Sequence, residues 1–301
     1  MVAACLVAVY IVWGTTYLAI KIGIEEIGPF FLLATRLIVA GGILLLVLKV
    51  MGTPLPTAKQ WANSAFLGTL MLVIGIGCVS VAEQWVSSGA AVALISINPL
   101  ATALWTVAFG KRPRALEWLA IFIGVVGTVV MVLGQDFQAS LLGTGIILMG
   151  VSSWTLGTVL STRLDVPTGG MGFAAEMLAA GLIALPVSAA LGEDWNLPQT
   201  ARVWSAWAYL VVFGSLIAFS AYRYLVERVS PTLAATYAYV NPPVALFVGW
   251  WLGAETFAVN TFIGLPIVLL AVALHAWSWK MSTAAAARPA AAGAAATTAA
   301  E

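Results

Sequence analysis

An all-α integral membrane protein of ten transmembrane helices is the fold class this sequence predicts, and three observations predict it. Of 301 residues, 62% are hydrophobic and only 8% are charged, against about 25% charged in an ordinary soluble domain. The mean hydropathy is +1.02, so most of the chain has no face suited to water. Finally, ten stretches reach the roughly 20 apolar residues that cross a hydrocarbon core about 30 Å thick. The solvent is lipid.

The ten stretches are 2–22, 30–49, 62–82, 87–109, 117–134, 142–163, 171–191, 204–225, 231–252 and 259–279. Turn residues and charges separate them, as in Glu25-Glu26-Ile27-Gly28-Pro29, Gly52-Thr53-Pro54-Leu55-Pro56 and Lys111-Arg112-Pro113-Arg114. The connections are too short for a soluble insertion. Residues 281–301 form an Ala-rich, low-complexity tail with no apolar periodicity, for which disorder is expected.

Cations orient the bundle, because cytoplasmic loops of membrane proteins are enriched in Lys and Arg. With the N-terminus inside, Lys49, Lys59, Lys111, Arg112, Arg114, Arg163, Arg223, Arg228, Lys280 and Arg288 all fall on the cytoplasmic side, and Arg202 falls outside. The acids lean the other way, with Glu25, Glu26, Glu83, Asp136, Glu193, Asp194 and Glu255 external. Both termini are therefore expected in the cytoplasm.

The residue inventory removes most chemistry. One histidine, His275, cannot build a two-histidine metal site, and no lysine closes a G-x-x-x-x-G-K-[ST] phosphate loop. Cys5 and Cys78 form no C-x-x-C pair. A net charge of +1 gives no basic surface for nucleic acid. No metal, cofactor or catalytic set is expected, and the chain is not read as an enzyme.

An internal repeat organises the rest. Val86-Ser87-Ser88-Gly89-Ala90-Ala91 aligns with Val229-Ser230-Pro231-Thr232-Leu233-Ala234, and Ile97-Asn98-Pro99 with Val240-Asn241-Pro242, at one offset. A nearly equal offset places Trp13 on Trp154. The chain divides into halves of five spans, 1–140 and 141–280. An odd number of spans turns the second half upside down, and inverted repeats mark secondary transporters whose sites lie at the midplane between halves.

The ordered set Trp13-Gly14-Thr15-Thr16-Tyr17, Arg36, Val81-Ala82-Glu83-Gln84, Glu176-Met177-Leu178-Ala179-Ala180-Gly181 and Ala235-Thr236-Tyr237-Ala238-Tyr239-Val240-Asn241-Pro242 resembles the EamA branch of the drug/metabolite transporter superfamily. That resemblance covers residues 1 to about 280. It implies ten helices as two five-helix repeats in a bacterial inner membrane, and export of small metabolites, often amino acids. It also draws Tyr17 into the candidate substrate site. Gly253-Ala254-Glu255 follows the usual pattern, whereas the first half has Arg112 at the matching place.

The intramembrane polar residues give the candidate site. Pro99, Pro242 and Pro243 each remove a backbone donor and disturb the carbonyl four residues earlier. Freed backbone at that depth must face protein or a water-lined cavity. Two readings stand: broken helices meeting at a cavity with Asn98 and Asn241 as ligands, or proline kinks with the amides joining helices. Tyr237 and Asn241 are four residues apart and share a helix face. Trp13 and Trp154 lie at midplane depth, away from the interfacial belt where tryptophan usually sits, so each lines a cavity or fills a packing gap. Arg36, Glu83 and Glu176 are charges within spans and need partners or a function. Glu83 or Glu25 could pair with Arg36, and Arg163 or Arg223 with Glu176. His275 is expected at the membrane interface.

The chain therefore reads as a secondary transporter exporting small metabolites by alternating access, with an uncoupled facilitator or channel as the alternative and a membrane enzyme as the weakest. The partners are a small-molecule substrate and the lipid bilayer, with a proton as candidate coupling ion. Gly249-x-x-x-Gly253 suits close helix packing, either between copies in a weak homodimer or within a monomer.

Overall fold

The computed structural model describes residues 1–86, 91, 94–132, 141–253 and 259–298. Helices carry the fold: α1 (Val2–Gly23), α2 (Pro29–Val50), α3 (Ala58–Ala82), α4 (Asn98–Ala108), α5 (Ala115–Val132), α6 (Leu141–Ser161), α7 (Gly170–Ala190), α8 (Ala201–Val226), α9 (Pro231–Ala234), α10 (Tyr237–Gly253) and α11 (Val259–Thr298). Among the described residues, seven helical segments are long and apolar enough to cross a membrane: α1, α2, α3, α6, α7, α8 and Phe262–Met281 of α11. The apolar part of α5, Ala115–Val130, is shorter. This is a multi-pass membrane protein.

The helices start and stop where the sequence chemistry asks. Pro29 opens α2, where its missing N–H is no loss. Thr57 and Gln60 form a reciprocal capping box at the start of α3, with N···O distances of 3.3 and 3.0 Å. Gly52 and Gly192 follow α2 and α7 with φ of +88° and +71°, a backbone region costly for residues with a Cβ.

Two of the predicted spans are not single long helices. The stretch predicted at 87–109 lies partly outside the described residues, and its described helix begins at Asn98 after a turn at Ser96–Ile97. Pro99 thus occupies the first turn of α4, directly after that break, where its missing N–H is no loss. The stretch predicted at 231–252 is interrupted at Ala235–Thr236, ahead of Asn241. There the backbone tightens into i to i+3 bonds, Thr236 N to Leu233 O at 3.2 Å and Tyr239 N to Thr236 O at 3.0 Å. Pro242 and Pro243 lie inside α10. The last helix continues through Thr298 along the Ala-rich tail. Alanine has the highest helix propensity, so low complexity does not prevent a helix.

Both α3 and α8 widen into π-helix, over Thr69–Ile76 and Leu210–Ile217, a feature with no mark in the composition. These segments are related by the same offset that relates Trp13 to Trp154. Such widening frees carbonyls from the regular ladder and often sits at functional sites.

Helices α2 and α7 pack antiparallel. A Cβ on Gly41 would lie 2.6 Å from Leu178 N, one on Gly181 would lie 2.8 Å from Ile38 N, and Gly170 approaches Leu48. The absence of side chains there lets the two backbones touch, as in membrane helix pairs generally. Packing elsewhere recurs between halves. Helix α1 packs on α8 and α10, α6 packs on α3 and α4, and α5 packs on α11.

Polar ties join the halves at both ends of the α2–α7 pair. At one end the Glu193 carboxylate accepts hydrogen bonds from Phe30 N (3.0 Å) and Phe31 N (2.8 Å) at the positive N-terminus of α2. There Glu26 accepts from Gln199 N (2.7 Å) and Thr200 N (3.2 Å). At the other end Gln60 Nε2 donates to Asp165 Oδ1 (3.2 Å), and Asn63 Nδ2 to Asp165 O (2.8 Å).

Candidate functional site

Residues of helices α1, α2, α3, α4, α6, α8 and α10 line a central cavity of ≈ 90 Å³. A water needs about 10–15 Å³ on the same measure, so the space suits a small molecule rather than a chain. Trp13, Tyr17, Arg36, Asn98, Trp154, Phe219 and Tyr237 lie on its wall.

The aromatic part of the wall is built around Trp13. Its ring meets Trp154 edge-on at 5.5 Å between centroids, Phe219 at 5.4 Å and Tyr237 at 4.6 Å. Edge-to-face contacts match the positive rim of one ring to the negative face of another. The π segments serve this cluster: Trp13 Nε1 donates to Gly214 O at 3.3 Å, and Ser153 Oγ donates to Leu70 O at 2.7 Å. Tyr222 backs both indoles, with ring centroids 5.0 Å from Trp13 and 5.6 Å from Trp154.

The polar part crosses between halves. Asn98 Nδ2 donates to the Tyr237 hydroxyl at 3.0 Å, and Asn241 Nδ2 donates to the Tyr17 hydroxyl at 3.2 Å. Among the described residues, neither amide oxygen has a hydrogen-bond partner, and both are buried. Of the six residues that the sequence nominates for substrate, Trp13, Tyr17, Asn98, Trp154 and Tyr237 share the cavity, and Asn241 stands behind Tyr17. Tyr239 faces elsewhere, its hydroxyl donating to Ile121 O at 3.3 Å.

The charges divide differently from the sequence expectation. Glu176 meets Arg223 at 3.5 Å, as one expected pairing requires, while Arg163 instead donates to Phe109 O at 2.7 Å. Arg223 also pairs with Glu227 at 3.0 Å. Arg36, however, reaches neither Glu83 nor Glu25. Glu25 pairs with Arg202 at 3.3 Å. Glu83 follows the end of α3, and among the described residues both its oxygens are buried without a hydrogen-bond partner. Arg36 is 4% exposed, and among the described residues its Nε has no hydrogen-bond partner. His275 is buried, with its ring centroid 6.3 Å from that of Tyr239.

Gly214, Phe219 and the place of Arg36 on the cavity wall did not follow from sequence. The matching offset of the two π segments was the available signal, but π widening leaves no compositional trace.

The sequence profile of the EamA-like transporter family matches residues 1–133 and again 141–277. The chain belongs to the EamA family. Through it the chain belongs to the drug/metabolite transporter superfamily. The chain is 40% identical over 270 residues to the uncharacterized inner membrane transporter YedA of Escherichia coli, covering 89% of this chain and 88% of that protein. An uncharacterized transporter of Synechocystis is 27% identical, with 89% and 88% covered. A WAT1-related chloroplastic protein of Arabidopsis thaliana is 26% identical, with 89% and 68% covered. A crystal structure at 19% identity superposes with a TM-score of 0.76, covering 93% of this EamA chain and 98% of the other. At that identity the likeness concerns the fold.

Proposed function

We propose that this protein is a secondary transporter that exports small metabolites, amino acids or similar amphipathic compounds, across the bacterial inner membrane by alternating access. The observation that carries the reading is the small aromatic and amide-lined cavity at the junction of residues from both halves. Transporter sites built from inverted repeats occupy that position. The antiparallel packing of α2 and α7, which the internal repeat makes equivalent, supports two inverted five-helix repeats over 1–140 and 141–280. Polar ties at both ends of this helix pair supply contacts that could break alternately.

Charge supports the orientation. Glu25, Glu26, Glu193 and Asp194 gather at one end, and Lys49, Lys59, Arg163 and Arg228 at the other. Under the cation rule the second end is cytoplasmic, with both termini there. A single cysteine at position 194 should then react with an impermeant thiol reagent outside intact cells, and one at position 52 should not.

Export is measured in inside-out vesicles as uptake. Labelled amino acids should accumulate above the outside concentration when a pH gradient is imposed. Equilibration without accumulation would favour the facilitator reading. Absence of flux across a broad metabolite panel would count against transport.

A further inference from the structure

Two buried arginines of this bundle are treated in opposite ways. Arg223 is held by two carboxylates, Glu176 at 3.5 Å and Glu227 at 3.0 Å, and donates to Pro167 O at 3.4 Å. Arg36 is as deeply buried, at 4% exposure, yet among the described residues it has no ion-pair partner. It stands on the wall of the central cavity. A guanidinium cannot shed its proton to escape burial, and an unpaired buried charge is strongly unfavourable. An anion would supply the partner that such a charge needs.

We propose that Arg36 is the anchor for a single negative charge on the transported molecule, a carboxylate, held by the planar guanidinium fork. This rests on the transport reading of the cavity. Three features narrow the ligand. Among the described residues that line the space, Arg36 is the one cation, so the wall balances one negative charge rather than the two of a phosphate monoester. The volume of ≈ 90 Å³ admits a small molecule. On the same wall the Asn98 amide oxygen is buried without a donor, and the Trp13, Trp154 and Phe219 rings supply an apolar surface. The matching ligand has a carboxylate for Arg36, an N–H or O–H donor for Asn98, and a compact apolar remainder.

The test uses leucine, methionine, phenylalanine and threonine, each beside its C-terminal amide, with the purified full chain in detergent. Thermal unfolding reports binding, since a ligand that prefers the folded state raises Tm. At least one free acid should raise Tm, and its amide should bind about tenfold more weakly or worse, the usual loss when a charge-assisted hydrogen bond is removed. Arg36→Gln should abolish the acid's effect, while Arg36→Lys, which keeps the charge and loses the fork, should retain a reduced one. Without ligand, Arg36→Gln should unfold at or above the wild-type temperature, because an unpaired charge has been removed. Equal stabilisation by acids and amides, an acid effect that survives Arg36→Gln, or no effect from any acid would each overturn the anchor. Flux in vesicles separates this from failure of the transport reading. Transport indifferent to Arg36 leaves transport standing without the anchor. Arg36-dependent binding without flux does the reverse.

Discussion

Replacing Glu176 by glutamine isolates the ion pair of α7 and α8. The substitution preserves shape and an acceptor oxygen while removing the charge that faces Arg223 at 3.5 Å. Both side chains are almost fully buried, at 1% and 6% exposure, so solvent screening is slight. Breaking a buried pair typically costs about 3–5 kcal/mol because the survivor is left bare. Here the survivor keeps Glu227 at 3.0 Å and Pro167 O at 3.4 Å. Glu176 is also the more distant of the two carboxylates around Arg223, so we expect about 1–3 kcal/mol. For a chain of this size that is a fall in Tm of about 2–5 °C. Thermal unfolding in detergent should show it, and Arg223→Gln should cost more, because it strands the buried Glu176. Combining the two substitutions should recover part of the loss. The folded fraction of Glu176→Gln should transport with the wild-type pH profile. A Glu176→Gln protein as stable as wild type would refute the structural role. Loss of pH dependence in that stable protein would move Glu176 to proton coupling.

Gly41→Leu should separate α2 from α7, since any Cβ there meets Leu178 N at 2.6 Å. A loss of about 1–3 kcal/mol is expected in unfolding assays, while Gly42→Leu, whose Cβ meets nothing within 4 Å, should be tolerated. The tie at Glu26 should be sensitive to acid. Hydrogen bonds from Gln199 N first, and then from the Thr200 residue, hold its carboxyl below the usual carboxylate range. A depressed folded-state pKa means that its contribution is complete at neutral pH and disappears as pH falls through that lowered value. Hydrogen exchange at the Gln199 and Thr200 amides, after correction for intrinsic rates, should therefore lose protection in acid. Glu26→Gln should flatten that response.

Much of the candidate site was legible because the repeat is legible. Trp13 with Trp154, and Asn98 with Asn241, were paired by offset alone, and an offset in sequence becomes a symmetry in space when equivalent helices such as α2 and α7 run antiparallel. Helical periodicity separates Tyr237 from Tyr239, two residues on, and their hydroxyls go to Asn98 and to Ile121 O. What failed to follow from sequence depends on contacts between distant segments. Which acid serves which arginine is fixed by the rotation of α2 and α8 about their axes, and an apolar stretch with no polar stripe does not encode rotation. The breaks at Ser96–Ile97 and Ala235–Thr236 lie on the N-terminal side of the prolines. Proline marks where a helix can begin as readily as where one must bend.

If one small cavity between the halves is the transport site, its lining residues must set the flux. Initial rates of uptake into inside-out vesicles, normalised to folded protein in the membrane, test this most directly. The variants are Trp13→Ala, Trp154→Ala, Asn98→Ala and Asn241→Ala, with Trp13→Phe and Trp154→Phe to control for lost packing. Trp277→Ala serves as a control, because Trp277 is 59% exposed on the protein's own surface. Each of the four central alanine variants should lose most of its flux or change its substrate preference, while Trp277→Ala transports as wild type does. Wild-type rates and preferences in all four would contradict the assignment, leaving the cluster as packing between kinked helices.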